Sequence, residues 1–106
     1  MFPQDILHEA VNRLVQGFHP DRIILFGSQA RGDAYAGSDA DLLVICSLAT
    51  DRRELTLAMD RALWGLRLAR DIVVMSPEEF ERDREIPGTI ARPAWLEGKV
   101  LYERAA

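Results

Sequence analysis

Three short apolar runs constrain the architecture of this chain most: Arg22-Ile23-Ile24-Leu25-Phe26, Asp41-Leu42-Leu43-Val44-Ile45 and Asp71-Ile72-Val73-Val74-Met75. Each reads as a strand, and the first has the β-branched, unalternating pattern of one buried on both faces. Helical patterns surround them. From Pro3 to Val15, residues Ile6, Leu7, Ala10, Val11, Leu14 and Val15 form one stripe, with Asp5, Glu9, Asn12 and Arg13 off it, and Gly17 is the expected stop. Asp51 with Glu54 has capping-box spacing for a helix to about Leu68 that buries Leu55, Ala58, Met59, Ala62, Leu63 and Leu66. Ser76-Pro77-Glu78-Glu79 announces another helix, with Ser at N-cap, Pro at N1 and Glu at N3. A last helix is expected from Thr89 to Glu97, with Pro93 in its first turn or kinking it. Gly98 ends it before an edge strand, Lys99 to Tyr102. The order predicts an α/β fold, a small mixed β-sheet flanked by helices.

The chain has 106 residues, 48% hydrophobic and 28% charged, which suits one domain over residues 1–106 and leaves no room for a second. Its net charge of −4 argues against a broad basic surface for nucleic acid. Small anionic ligands stay open if metal ions mediate. One cysteine, Cys46, excludes an intrachain disulfide, and no signal-like segment or long apolar run suggests export or membrane insertion. A cytoplasmic setting is the default expectation, and self-association is left open.

The chemistry concentrates between Phe26 and Leu42. There, the first strand runs into Gly27-Ser28 and an expected short helix from Ser28. Glycine lets a phosphate approach the backbone, the N–H groups at a helix start carry partial positive charge, and a serine hydroxyl adds a donor. After ten intervening residues, Asp39 and Asp41 stand at i and i+2, pointing to one side of an incipient strand. Two such carboxylates repel unless a cation lies between them. Mg²⁺, which prefers oxygen ligands and shares them with substrate phosphates, suits both halves. A third carboxylate must reach the same sheet edge from a neighbouring strand, and Asp71 qualifies by opening one. Asp51, Asp60 and Asp83 lie on or beside helices and read as capping or solvent-facing residues.

Gly27-Ser28, the ten-residue interval, Asp39-x-Asp41 and a later strand Asp together resemble the signature of the DNA polymerase β-type nucleotidyltransferases. The longer form, Gly27-Ser28-x-Ala30-Arg31-Gly32-Asp33 with Ser38-Asp39-x-Asp41-Leu42, resembles the minimal nucleotidyltransferase (MNT) family. The likeness runs from Ile23 to about Phe80 and again through Leu96 to Tyr102. It implies a polymerase β-like fold, with Gly27 and Ser28 at the triphosphate of ATP and Asp39, Asp41 and Asp71 on two Mg²⁺ ions. Asp71 would also activate an acceptor hydroxyl. It further implies a helical HEPN partner toxin, with this chain as antitoxin transferring AMP from ATP to a partner tyrosine. The competing functions are an antitoxin that neutralises by binding alone and a subunit of a small-molecule nucleotidyltransferase.

Other residues are weaker candidates. Arg31 could contact a phosphate, help dock a partner, or hold its loop through Asp33. Asp71 could instead be a strand-end residue paired with Arg70 or Arg67. Arg13 and His19 match an Arg-x5-His spacing by coincidence, His8 reads as solvent-facing or a boundary residue, and Cys46 as a small buried hydrophobe. Trp64, Phe80 and Trp95 are expected to pack helices onto the sheet, while an exposed Trp95 or Tyr102 would suit an interface.

Overall fold

The computed structural model describes residues 4–27, 30, 39–48 and 51–105. In chain order the elements are α1 (Gln4–Phe18), β1 (Arg22–Phe26), β2 (Ala40–Ile45), α2 (Arg52–Ala62), β3 (Arg70–Met75), α3 (Pro77–Asp83), α4 (Ala91–Glu97) and β4 (Lys99–Glu103). The short helix expected from Ser28 falls mostly outside the described residues.

The strands form one sheet in the order β3-β2-β1-β4. β1 is antiparallel to both β2 and β4, with a register shift against β4 between Ile23 and Ile24. β2 and β3 run parallel, and α2 lies in the connection between them. The sheet is therefore mixed, and the fold is α/β. Alternation along the strands divides the core into two layers. Ile23, Leu25, Leu42, Val44, Ile72 and Val74 pack with Leu7, Ala10, Val11 and Leu14 of α1 and Met59 of α2. On the opposite face, Ile24, Leu43, Ile45 and Met75 pack with Phe80 of α3 and with Ala91 and Ala94 of α4. Burial of each large side chain contributes about 1.5–3 kcal/mol, so the central strands are the main hydrophobic investment of the fold.

Four helix ends differ from expectation. α1 runs through Gly17 to Phe18, and the left-handed residue that stops it is His19, φ 50°, whose N–H reaches the Val15 carbonyl at 3.0 Å. Continuing the helix lets Phe18 pack against the core, which offsets the ~1 kcal/mol cost of an internal glycine. The capping box at Asp51 does not form, because its side chain makes no cap hydrogen bond. α2 ends at Ala62, short of Leu68: Leu63 and Trp64 bond back by i to i−3 contacts, and Gly65 takes φ 91°. Arg13 also holds that end, its Nη1 donating to the carbonyls of Ala62 at 3.2 Å and Trp64 at 3.0 Å. Trp64, in this turn, is 66% exposed and does not pack onto the sheet as expected.

The Ser76 box does form: the Glu79 N–H donates to Ser76 Oγ at 3.1 Å and the Ser76 N–H to Glu79 Oε1 at 2.9 Å. α4 starts at Ala91, later than expected, because the Thr89 hydroxyl bonds the Asp83 carbonyl at 2.8 Å and accepts the Arg92 N–H at 3.3 Å. Thr89 thus works as a turn residue ahead of the helix. Pro93 falls in the first turn, where its missing N–H costs nothing. Gly98 then brings the chain against β1, since a Cβ there would overlap the Ala94 carbonyl and Ile24.

Candidate functional site

Asp41 and Asp71 are the second residues of β2 and β3, and the parallel register sets them side by side. On its other side Asp41 is the partner of Phe26 at the end of β1. A row Asp71, Asp41, Phe26 therefore crosses three strands. Alternation places it on the face of Leu43, Ile45 and Met75, which α3 and α4 cover only in part. Phe26, Asp41 and Val73 remain half-buried and Asp71 is exposed. Asp39, also exposed, immediately precedes β2.

Adjacent strands lie about 4.8 Å apart, so carboxylates paired across them repel each other. Arg70 does not neutralise Asp71. Its Nε donates to Asp60 Oδ1 at 3.0 Å, and its Nη1 and Nη2 go to the carbonyls of Leu68 and Asp60, each at 3.1 Å. The strand-end reading in which Asp71 pairs with Arg70 is therefore not the arrangement observed. Phe26 and the Arg70–Asp60 pair are parts of this region that sequence reasoning passed over. No local pattern links positions so far apart in the chain.

Gly27 closes the row. Its φ of 77° lies in the left-handed region, and a Cβ on it would overlap Asp41 Oδ2 and lie 3.2 Å from Asp41 Cγ. The glycine is thus fixed twice, by backbone conformation and by the carboxylate against it. The Ala30 N–H donates to the Gly27 carbonyl at 3.1 Å, and Ala30 is buried in the core. Ser28 and Arg31, the other expected nucleotide contacts, lie outside the described residues.

Among the described residues no three His, Cys, Asp or Glu side chains are grouped so as to hold a metal ion. The donors nevertheless suit Mg²⁺ in kind. They are hard oxygen ligands, with Asp41 Oδ2 set against the Gly27 backbone, and Mg²⁺ is usually held by one or two carboxylates, with substrate phosphates and water completing its shell.

A recess of about 500 Å³ opens at the other end of the sheet, lined by Arg22, Ile45, Phe80, Glu81, Glu103 and Arg104 among others. It lies four ladder positions from Asp41, roughly 13 Å along the strands. Its charges are matched internally, Arg22 with Glu103 at 2.7 Å and Arg104 with Asp21 at 3.3 Å. The carboxylate row, by contrast, brings like charges side by side across β2 and β3. Cys46 is buried, and that burial, with the nearby charge of Asp21, raises its thiol pKa and disfavours the nucleophilic thiolate. Trp95 is 42% exposed, although its ring meets Phe80 edge-on at 6.1 Å and carries the Arg84 guanidinium 4.4 Å above it.

The fold agrees with that of similar proteins. A nucleotidyltransferase-domain family model matches residues 5–102, and the chain belongs to that family. Among solved structures, a candidate nucleotidyltransferase from Sulfolobus solfataricus superposes with a TM-score of 0.67 at 20% identity, covering 94% of this chain and 79% of the other. A chain from a toxin–antitoxin structure with AMP-PNP superposes with a TM-score of 0.56 at 22% identity, covering 91% and 73%. At these identities the likeness is one of fold. No curated protein matches the sequence. No helix among the described residues is long and apolar enough to cross a membrane.

Proposed function

We propose that this nucleotidyltransferase-family chain is a Mg²⁺-dependent antitoxin of the MNT type, working in the cytoplasm, that transfers AMP from ATP to a tyrosine hydroxyl of a HEPN toxin. The observation that carries the reading is the in-register pair Asp41 and Asp71 on parallel strands, with Gly27 fitted against Asp41. A fold neighbour from a toxin–antitoxin structure with AMP-PNP supports both the nucleotide and the kind of partner.

In this reading Gly27 and Ser28 cradle the triphosphate, with Arg31 as a further phosphate contact. Asp39, Asp41 and Asp71 would hold Mg²⁺, two ions in this reading, which would supply neutralisation of the charge that develops on the reacting phosphate. Asp71 takes the proton of the acceptor hydroxyl. The hydroxyl oxygen bonds to the α-phosphorus, the bond from that phosphorus to the bridging oxygen breaks, and pyrophosphate leaves. The chain's own contribution is positioning and preorganised charge.

A binding-only antitoxin has no need of carboxylates that repel one another at a sheet edge. The double variant Asp39→Asn/Asp41→Asn, co-expressed with the toxin at matched levels, separates the two readings. Loss of neutralisation with the protein complex intact is expected. Full neutralisation by the variant would sink the catalytic account.

A further inference from the structure

β3 enters the sheet through Arg70, whose side chain is 12% exposed. Alternation puts it on the α1 and α2 face, opposite Asp71. Its guanidinium joins three pieces of chain. It bonds the Asp60 carboxylate at the end of α2, the Asp60 carbonyl, and the carbonyl of buried Leu68 in the loop that leads to the strand. The Asp60 carbonyl also accepts the Leu63 N–H at 3.0 Å, so the clamp is rooted in the turn that ends α2. β2 is tied to the same place: the Ala40 N–H donates to the Ala69 carbonyl at 2.8 Å, and Ala40 pairs with Arg70.

The hydrophobic pattern of β3 sets its register weakly. Ile72, Val73, Val74 and Met75 are apolar on both faces, and β3 is an edge strand with one neighbour. A slip by one residue would keep an apolar strand but send every side chain to the opposite face. Arg70 and Asp71 would then exchange faces, with a carboxylate toward the core layer and a guanidinium on the face of Asp41.

We infer that Arg70, held by Asp60, is a positioning residue that fixes Asp71 beside Asp41. The inference rests on the reading of those two aspartates as metal ligands. Arg70→Lys keeps the charge and loses the planar fork that reaches three acceptors.

The test is Mn²⁺ binding in the presence of AMP-PNP, followed by electron paramagnetic resonance, with a thermal melt of each variant. Residues that orient metal ligands typically change metal affinity 10–100-fold, so Arg70→Lys is expected to weaken Mn²⁺ binding by about tenfold or more. Asp60→Asn retains an oxygen acceptor and is expected to stay close to wild type. In an Asp71→Asn background, Arg70→Lys is expected to add no further loss, because its effect passes through Asp71. Wild-type Mn²⁺ affinity in Arg70→Lys, or an undiminished loss in the Asp71→Asn background, would overturn the inference. If Arg70→Lys gives no cooperative melt, Asp60→Ala replaces it, since it removes one acceptor and leaves the two carbonyls. Wild-type Mn²⁺ affinity in Asp71→Asn alone would overturn the ligand reading itself, whatever Arg70 does.

Discussion

Gly27 lies so close to Asp41 that a Cβ on the glycine would overlap the carboxylate oxygen Oδ2 and sit 3.2 Å from Cγ. The end of β1 and the start of β2 are thereby fitted to each other, at the point where the proposed function puts a phosphate and a metal ion.

Gly27→Ala combines a left-handed φ with this overlap, so it should destabilise the fold by more than about 1 kcal/mol. It should also weaken Mg²⁺–ATP binding by at least about tenfold, which corresponds to 1.4 kcal/mol. Urea denaturation and nucleotide titration check the two effects separately. An alanine variant that binds as wild type would show that the carboxylate is not held in place by this contact.

Glu79 gives a pH signature. The Ser76 N–H, and then the Arg52 guanidinium at 2.6 Å, favour its ionised form and lower its pKa below the ordinary value of 4.5. A carboxyl with a lowered folded-state pKa contributes stability above its unfolded value, and the contribution is lost as pH falls through the folded value. Glu79→Gln should therefore be less stable than wild type at pH 7, and the gap should close as pH falls below 4.5 and through the lowered folded-state value. Ser76→Ala, which removes the other half of the box, should cost about 1 kcal/mol. Thermal melts from pH 7 to 3 measure both, and a gap that widens with acid would contradict the assignment.

Gly98→Ala tests a second close approach, far from the carboxylates in the chain. Its Cβ would overlap the Ala94 carbonyl oxygen and Ile24 Cγ2. Overpacking of this kind typically costs 1–3 kcal/mol, so a loss of about 2 kcal/mol is expected with little change in Mn²⁺ affinity. Equal stability of the variant and wild type would mean that α4 can move off β1.

The strands were legible in the sequence because short apolar runs admit few other readings, and Ser76-Pro77-Glu78-Glu79 marked α3 through purely local bonds. The end of α2 was not. Leu63 and Leu66 continue the apolar spacing, yet they belong to a turn stabilised from outside the helix by Arg13. The box at Asp51 failed to form, and the neighbouring Arg52 turns to Glu79 on α3. The motif spacing identified Gly27, Asp39, Asp41 and Asp71 as candidates. Their registration, with Asp41 between Phe26 and Asp71, depends on pairing between distant segments that no local pattern encodes. The Asp60–Arg70 clamp escaped notice for the same reason, because Asp60 alone reads as a solvent-facing helix residue.

The central claim is most directly tested by incubating the protein with Mg²⁺, the HEPN toxin proposed as its partner, and ATP labelled at either the α- or the γ-phosphate. Protein-bound label is then read after denaturation. The account expects α-label and no γ-label on the partner, with at least about a 100-fold loss in Asp39→Asn/Asp41→Asn because charge stabilisation at the reacting phosphate is removed. Absence of label with all four NTPs, while the two proteins still form a complex, would contradict it.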